Sequence, residues 1–208
     1  MANLLPPKAP SLPLGSKEYS QQYQDLFSNA LRLYFNRLDD AFSNVLNTRG
    51  GQYLNIPYGA FSDYLDQTAT ANTATAMLFR ATDFANGVSV VSDTKLTVAQ
   101  AGIYNLQWSG QFENTASADH DVRVWLKING TVVVGSTGFF AVPSKHGSVN
   151  GHALVGWNYF LSLNANDYVE LWWETDSTLV SIQAYAASGN YPSTASLIAT
   201  MTFVSNIT

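Results

Sequence analysis

In the first quarter of the chain apolar residues recur at helical spacing; beyond Gly50-Gly51 they alternate one in two, so the structural period changes near that glycine pair. From Ser16 to Asn47 no glycine or proline intervenes, Ser16 can cap, and Glu18 and Asp25 fall early, which predicts one long helix. Phe27, Leu31, Tyr34, Leu38, Ala41 and Val45 are spaced four, three, four, three, four, the spacing of a heptad seam. A second stripe of Tyr19, Tyr23, Leu26, Ala30 and Leu33, with Phe35 and Phe42 elsewhere, makes the helix too apolar to stand alone in water. Two partners are open to it: helices of other copies, or the sheet of its own chain.

The later segments read as strands. Residues 77–80, 88–91, 103–112, 122–128, 131–134, 155–163, 168–174, 180–186 and 197–204 are short, rich in aromatic and β-branched residues, and separated by turn residues. Tyr104, Leu106, Trp108, Gly110 and Phe112 fall on one face of their strand; Val122, Val124, Leu126 and Ile128 oppose Arg123, Trp125 and Lys127 on another. Asn129-Gly130 between two such runs is the strongest hairpin signal in the chain. With roughly eight to ten strands and no long helix between them, an antiparallel sandwich or jelly roll outranks any parallel α/β arrangement.

Residues 1–15 carry Pro6, Pro7, Pro10 and Pro13, so this stretch cannot be helical and should run extended. Its leucines, Leu4, Leu5, Leu12 and Leu14, have no apolar partner within the arm, which makes them candidates for docking on another subunit. The expected organisation is an arm over 1–15, a helical segment over 16–51 and a β-sandwich over 52–208.

Composition bears on chemistry mainly by exclusion. A chain of 208 residues, 46% apolar, can bury a core without a disulfide or a metal, and it contains no cysteine. A net charge of −5 with ten Lys plus Arg argues against a nucleic-acid partner. No run reaches the length of a membrane span, and no secretory signal pattern opens the chain, so a product acting outside a cell would leave by another route, such as lysis.

Phosphate-binding, zinc-protease and serine-hydrolase motifs are absent, and neither catalytic role nor cofactor is expected. Asp119-His120-Asp121 offers three ligand types in a row, but neighbours on a strand point to opposite sides and converge poorly. Glu170 and Glu174 flank Trp172 on one strand face, a pattern shared by carbohydrate sites and ordinary solvent-facing strands, and the latter is favoured.

Ala101-Gly102-Ile103-Tyr104, the run 122–130 and the run 161–171 resemble the jelly roll of complement globular heads and tumour-necrosis-factor-like trimers. That resemblance implies a compact homotrimer, with aromatic residues of one sheet meeting at the threefold axis; Tyr104, Trp108, Trp125, Trp157, Tyr159, Trp172 and Trp173 are the candidates. The Pro-rich arm running into residues 18–23, the helix 30–39 and Pro57-Tyr58-Gly59-Ala60-Phe61 make the layout similar to accessory virion proteins of tailed bacteriophages, particularly short-tailed phages of cyanobacteria and marine bacteria. What this second resemblance implies is a virion structural protein, homotrimeric, held to capsid or tail proteins by its N-terminal part and displaying the jelly roll.

The interface set expected on this basis is Leu4, Leu5, Leu12, Leu14, Phe27, Leu31, Tyr34, Leu38 and Val45. The alternative is a receptor-binding fibre tip reading a host glycan or protein, for which the loop 135–151 offers Phe139 and Phe140.

Overall fold

The computed structural model describes residues 9–15, 17–46 and 56–205. Leu4 and Leu5 lie outside them. The chain divides into two compact units, Met1–Asn55 and Ile56–Thr208.

In the first unit residues 9–15 form neither helix nor strand, in keeping with Pro10 and Pro13. The helix α1 spans Gln21–Leu46. Its cap is Ser20, four residues beyond the predicted Ser16: the Ser20 hydroxyl accepts the Tyr23 N–H at 3.3 Å and its carbonyl accepts the Gln24 N–H at 3.1 Å. Both serines satisfy the sequence rule for a cap, and Ser16 lies outside the described residues.

The second unit contains fourteen strands among the described residues: β1 (Tyr58–Asp63), β2 (Gln67–Thr68), β3 (Thr75–Ala76), β4 (Ala81–Asn86), β5 (Val88–Val91), β6 (Lys95–Val98), β7 (Gly102–Asn114), β8 (His120–Ile128), β9 (Thr131–Val132), β10 (Gly138–Val142), β11 (Gly151–Leu163), β12 (Tyr168–Thr175), β13 (Val180–Ile182) and β14 (Leu197–Ser205). They form two sheets, and all the strand pairs are antiparallel. Sheet one is built on β7. Strand β11 pairs with it along its whole length on one edge, while β14 and then β13 share the other, and β1 and β4 extend the sheet beyond β14. Sheet two runs β10-β8-β12-β6-β5, with β9 also on β8 and β3 also on β12. The chain passes repeatedly from one sheet to the other, as β7 to β8 and β11 to β12 do, which makes the sandwich jelly-roll-like.

The predicted alternation decides which side chains meet between the sheets. Tyr104, Leu106, Trp108 and Phe112 of β7 are buried, as are Val122, Val124 and Leu126 of β8 and Leu171 and Trp173 of β12. The Phe112 ring packs edge-on to Trp173 at 5.9 Å and to Phe140 at 4.9 Å. Each large side chain withdrawn in this way contributes about 1.5–3 kcal/mol, so this layer dominates the stability of the unit. Between β8 and β9, Asn129 and Gly130 have φ of 50° and 79°. Two consecutive positive values are what a tight two-residue hairpin turn needs, and Asn-Gly adopts them at least cost.

One charge is fully buried. Asp63, at the end of β1, accepts from Arg80 Nη1 at 2.9 and 3.1 Å, Gln67 Nε2 at 2.8 Å and the Leu65 N–H at 3.1 Å. Three donors, making four contacts, replace the hydration the carboxylate gives up. They also tie the segment after β1 to the start of β4.

The expected strand at 77–80 does not form, although Met77 and Phe79 are buried in the core. Backbone bonds from Met77 N–H to Leu171 O and Phe79 N–H to Asp93 O hold the segment singly, without a ladder. The runs 131–134 and 180–186 shorten to β9 and β13: Val133 N–H still bonds Leu126 O and Gln183 N–H still bonds Gln111 O, but the ladders end there.

Candidate interaction surfaces

On α1 the seam residues Phe27, Leu31, Tyr34, Leu38 and Ala41 are half-buried, and Val45 lies in the last turn. Around them Leu26, Leu33, Phe35 and Phe42 are 52–59% exposed. Tyr23 and Phe27 stack at 6.1 Å along the seam. In the arm Leu12 is exposed and Leu14 is 95% exposed. The helix therefore presents an apolar surface wider than one seam, and none of the described residues of the unit covers it fully.

The outer face of sheet one is largely uncharged. Cross-strand register sets out its rows: Phe160–Asn105–Thr202, Asn158–Gln107–Thr200 and Gly156–Ser109–Ile198, read from β11 through β7 to β14. Leu154 opposite Gln111 continues the face, with Leu154 70% and Phe160 65% exposed. Among the outward positions of these three strands only Glu113 and His152 can carry a charge, and they are direct partners in the end row. Asn105 Oδ1 is buried without a hydrogen-bond partner. Gly156 leaves a shallow depression lined by Gln107, Trp108, Trp157 and Asn158; a Cβ there would stand 2.8 Å from the Trp108 carbonyl.

The end row is clasped by a third residue. The Tyr185 hydroxyl donates to Glu113 Oε2 at 3.0 Å and lies 3.0 Å from His152 Nδ1. Burial first, then the Glu113 and Asp66 carboxylates, push the Tyr185 phenol up from its ordinary value, so it stays protonated as the donor. With that proton directed to Glu113, His152 Nδ1 must carry its own hydrogen to bond the phenol oxygen.

The outer face of sheet two is built differently. Arg123 pairs with Glu174 at 2.8 Å, Lys127 Nζ sits 3.4 Å from the centre of the Trp172 ring, and Lys95 lies 4.7 Å from that of Tyr168. Glu170, mostly buried, accepts from Thr94 at 2.9 Å and from Trp172 Nε1 at 3.4 Å. The carboxylates flanking Trp172 are thus each bound to a neighbour; Glu174 keeps some contact with water, whereas Glu170 is buried, contrary to the expected solvent-facing strand.

Phe139 and Phe140, expected at a loop tip, are consecutive residues of β10 and point to opposite sides. Phe140 packs against the core at Phe112, while Phe139 is 67% exposed beside Arg123, whose guanidinium carbon is 5.1 Å from the ring centre. Alternation within a short strand that sequence did not reveal separates them.

The aromatic candidates for a symmetry axis also disperse. Tyr104, Trp108 and Trp173 are in the core, and Trp125 and Trp172 lie on the outer side of sheet two. Trp157 stacks on Tyr159 at 6.0 Å and closes over Gly138, where its ring leaves no room for a Cβ. None of these seven faces outward on sheet one.

The loop 115–121 is braced from within. Asn114 Nδ2 donates to Ala118 O at 2.9 Å and Val142 O at 3.1 Å, and Asp119 accepts the Ser144 N–H at 2.7 Å. That bond holds the Asp119 carboxyl below its usual range. His120 pairs with Asp176 at 2.9 Å. Among the described residues no three His, Cys, Asp or Glu side chains converge as metal ligands. No described helix is long and apolar enough to cross a membrane.

No family model matches the chain, and no curated protein matches it. Among solved structures, the globular domain of zebrafish complement 1qA protein is similar over 73% of this chain and 99% of that one, at 11% identity and a TM-score of 0.42. The match is a distant one of fold alone.

Proposed function

We propose that this chain is a self-associating structural module, a homotrimer joined through α1, which displays its sandwich on a virus particle as a capsid decoration or tail-fibre component. The observation that carries the reading is the apolar surface of α1, where a heptad seam is flanked by Leu26, Leu33, Phe35 and Phe42, each more than half exposed. A lone helix of 26 residues gains little from propensity alone and depends on burying such a face. Two further copies supply an identical seam, with each knob packing into the holes of its neighbour. The virion setting is supported by the resemblance of arm, helix and sheet entry to phage accessory proteins. The exposed Leu12 and Leu14 suit the arm to capsid or tail proteins, and threefold repetition raises the avidity of a weak arm contact. This reading gives the chain no catalytic role, no cofactor, no nucleic-acid partner and no membrane insertion.

Deletion of residues 1–15 tests the anchor. The shortened chain should stay a folded trimer yet be lost from purified particles. Retention on the particle would overturn the anchoring role.

A second reading, recognition of a host glycan or protein, is favoured by one feature, the exposed Phe139 ring beside Arg123. Phe139→Ala should then abolish attachment to host cells while leaving incorporation into particles unchanged; unaltered attachment would remove this role.

A further inference from the structure

We infer that Glu113, His152 and Tyr185 form a binding site, within a single chain, for a divalent transition-metal ion, copper(II) being the one such a donor set holds most tightly. The inference goes beyond the function proposed above and does not depend on self-association, since all three donors belong to one molecule.

Nitrogen and oxygen atoms bound to one such ion at about 2.0–2.2 Å stand roughly 3–3.6 Å from one another. Glu113 Oε2 and His152 Nδ1 each lie 3.0 Å from the Tyr185 hydroxyl oxygen and 3.8 Å from each other. A small side-chain adjustment therefore closes all three on one ion. The third donor is a phenol, so the cluster is of a different kind from the His, Cys, Asp and Glu sets that are missing among the described residues.

Separate elements fix these donors in advance. Glu113 and His152 are opposite residues of β7 and β11. Tyr185 exchanges backbone hydrogen bonds with Thr194, and the adjacent Ala184 N–H donates to Asp66 Oδ1 at 3.0 Å. The Tyr185 ring stands edge-on to the His152 imidazole with 5.7 Å between centres. Supporting bonds of this kind keep metal ligands in orientation.

The electrostatics favour a cation. Glu113 and Asp66 bring two carboxylates to the cluster, and among the described residues neither forms an ion pair with Lys or Arg. The negative potential that holds the proton on the Tyr185 phenol also attracts a metal ion into its place. On binding, a metal–oxygen bond replaces the phenol O–H and that proton passes to solvent. The imidazole carries its hydrogen on Nε2, which leaves the Nδ1 lone pair for the metal. The His152 side chain is 52% exposed, so the ion enters from water and water fills its remaining coordination positions.

Titration of the full-length chain with copper(II) chloride, followed by calorimetry and visible absorption, tests the site. One ion per chain should bind ahead of any other and bring up a phenolate-to-copper charge-transfer band. Tyr185→Phe should abolish the band and weaken binding at least about tenfold. His152→Ala, at a half-exposed position that the fold tolerates, should weaken binding to the same degree while near-ultraviolet circular dichroism stays that of wild type. His146→Ala, in the exposed turn before β11, should change neither affinity nor band. Copper bound without a phenolate band, equal affinity in wild type and His152→Ala, or no saturable binding overturns the site.

Discussion

Glu113 and His152 are direct cross-strand partners on β7 and β11, joined through the Tyr185 hydroxyl, and at the end row they are the groups able to carry a charge among the outward positions of β7, β11 and β14. Tyr185→Phe removes that hydroxyl and should cost about 1 kcal/mol of unfolding free energy, which urea denaturation measures.

The seam of α1 makes a separate demand. Phe27→Asp combined with Leu38→Asp puts two charges into the proposed helical contact, and the oligomer should dissociate at micromolar concentration. The sandwich should keep its near-ultraviolet circular dichroism, because its aromatic core lies in the other unit. An unchanged mass would show that the seam is not an essential contact.

Asp63 tests the internal polar network. Asp63→Ala leaves the Leu65 N–H without its acceptor and the Gln67 amide with Leu78 O alone, whereas Arg80 still reaches water, its side chain being 32% exposed. The loss in unfolding free energy should be about 2–3 kcal/mol, a charged hydrogen-bonded group being worth more than a neutral one. Urea denaturation measures it.

The hairpin turn and its neighbour give two further outcomes. Gly130→Ala forces a side chain onto φ of 79° and should cost about 1 kcal/mol. Nearby, Asp167 accepts from Asn129 Nδ2 at 2.7 Å and from the Asn164 N–H at 2.7 Å, and these bonds, Asn129 first, lower its carboxyl from the ordinary value. A folded-state value below the unfolded one, about 3.9, gives stability that is full above that pH and lost as pH falls through the lower folded value. The stability gap between wild type and Asp167→Asn should hold its neutral-pH value down to about pH 5 and shrink in that acid window. A gap independent of pH would exclude the linkage.

What sequence revealed and what it hid divide along physical lines. The alternation in 103–112 and 122–128 placed Tyr104, Leu106, Trp108 and Val124 correctly in the core, because a half-buried strand must alternate. Asn129-Gly130 was legible because few residue pairs accept two positive φ values. Met77 and Phe79 misled, since burial alone does not bring a paired strand. Phe139 and Phe140 misled because glycines and a proline around β10 resemble a loop.

The uncharged face was illegible for a different reason. It exists only through register, which sets Asn158 beside Gln107 and Phe160 beside Asn105 across fifty residues of sequence or more. The aromatic candidates for an axis divide by strand face, which sequence does not show: Tyr104, Trp108 and Trp173 enter the core, Trp172 lies on sheet two, and Trp157 on β11 is 49% exposed.

Light scattering of the purified full chain tests self-association most directly. A trimer of about 68 kDa, three times the 22.7 kDa chain, is the expected result. A mass of 22.7 kDa across the micromolar range would contradict it.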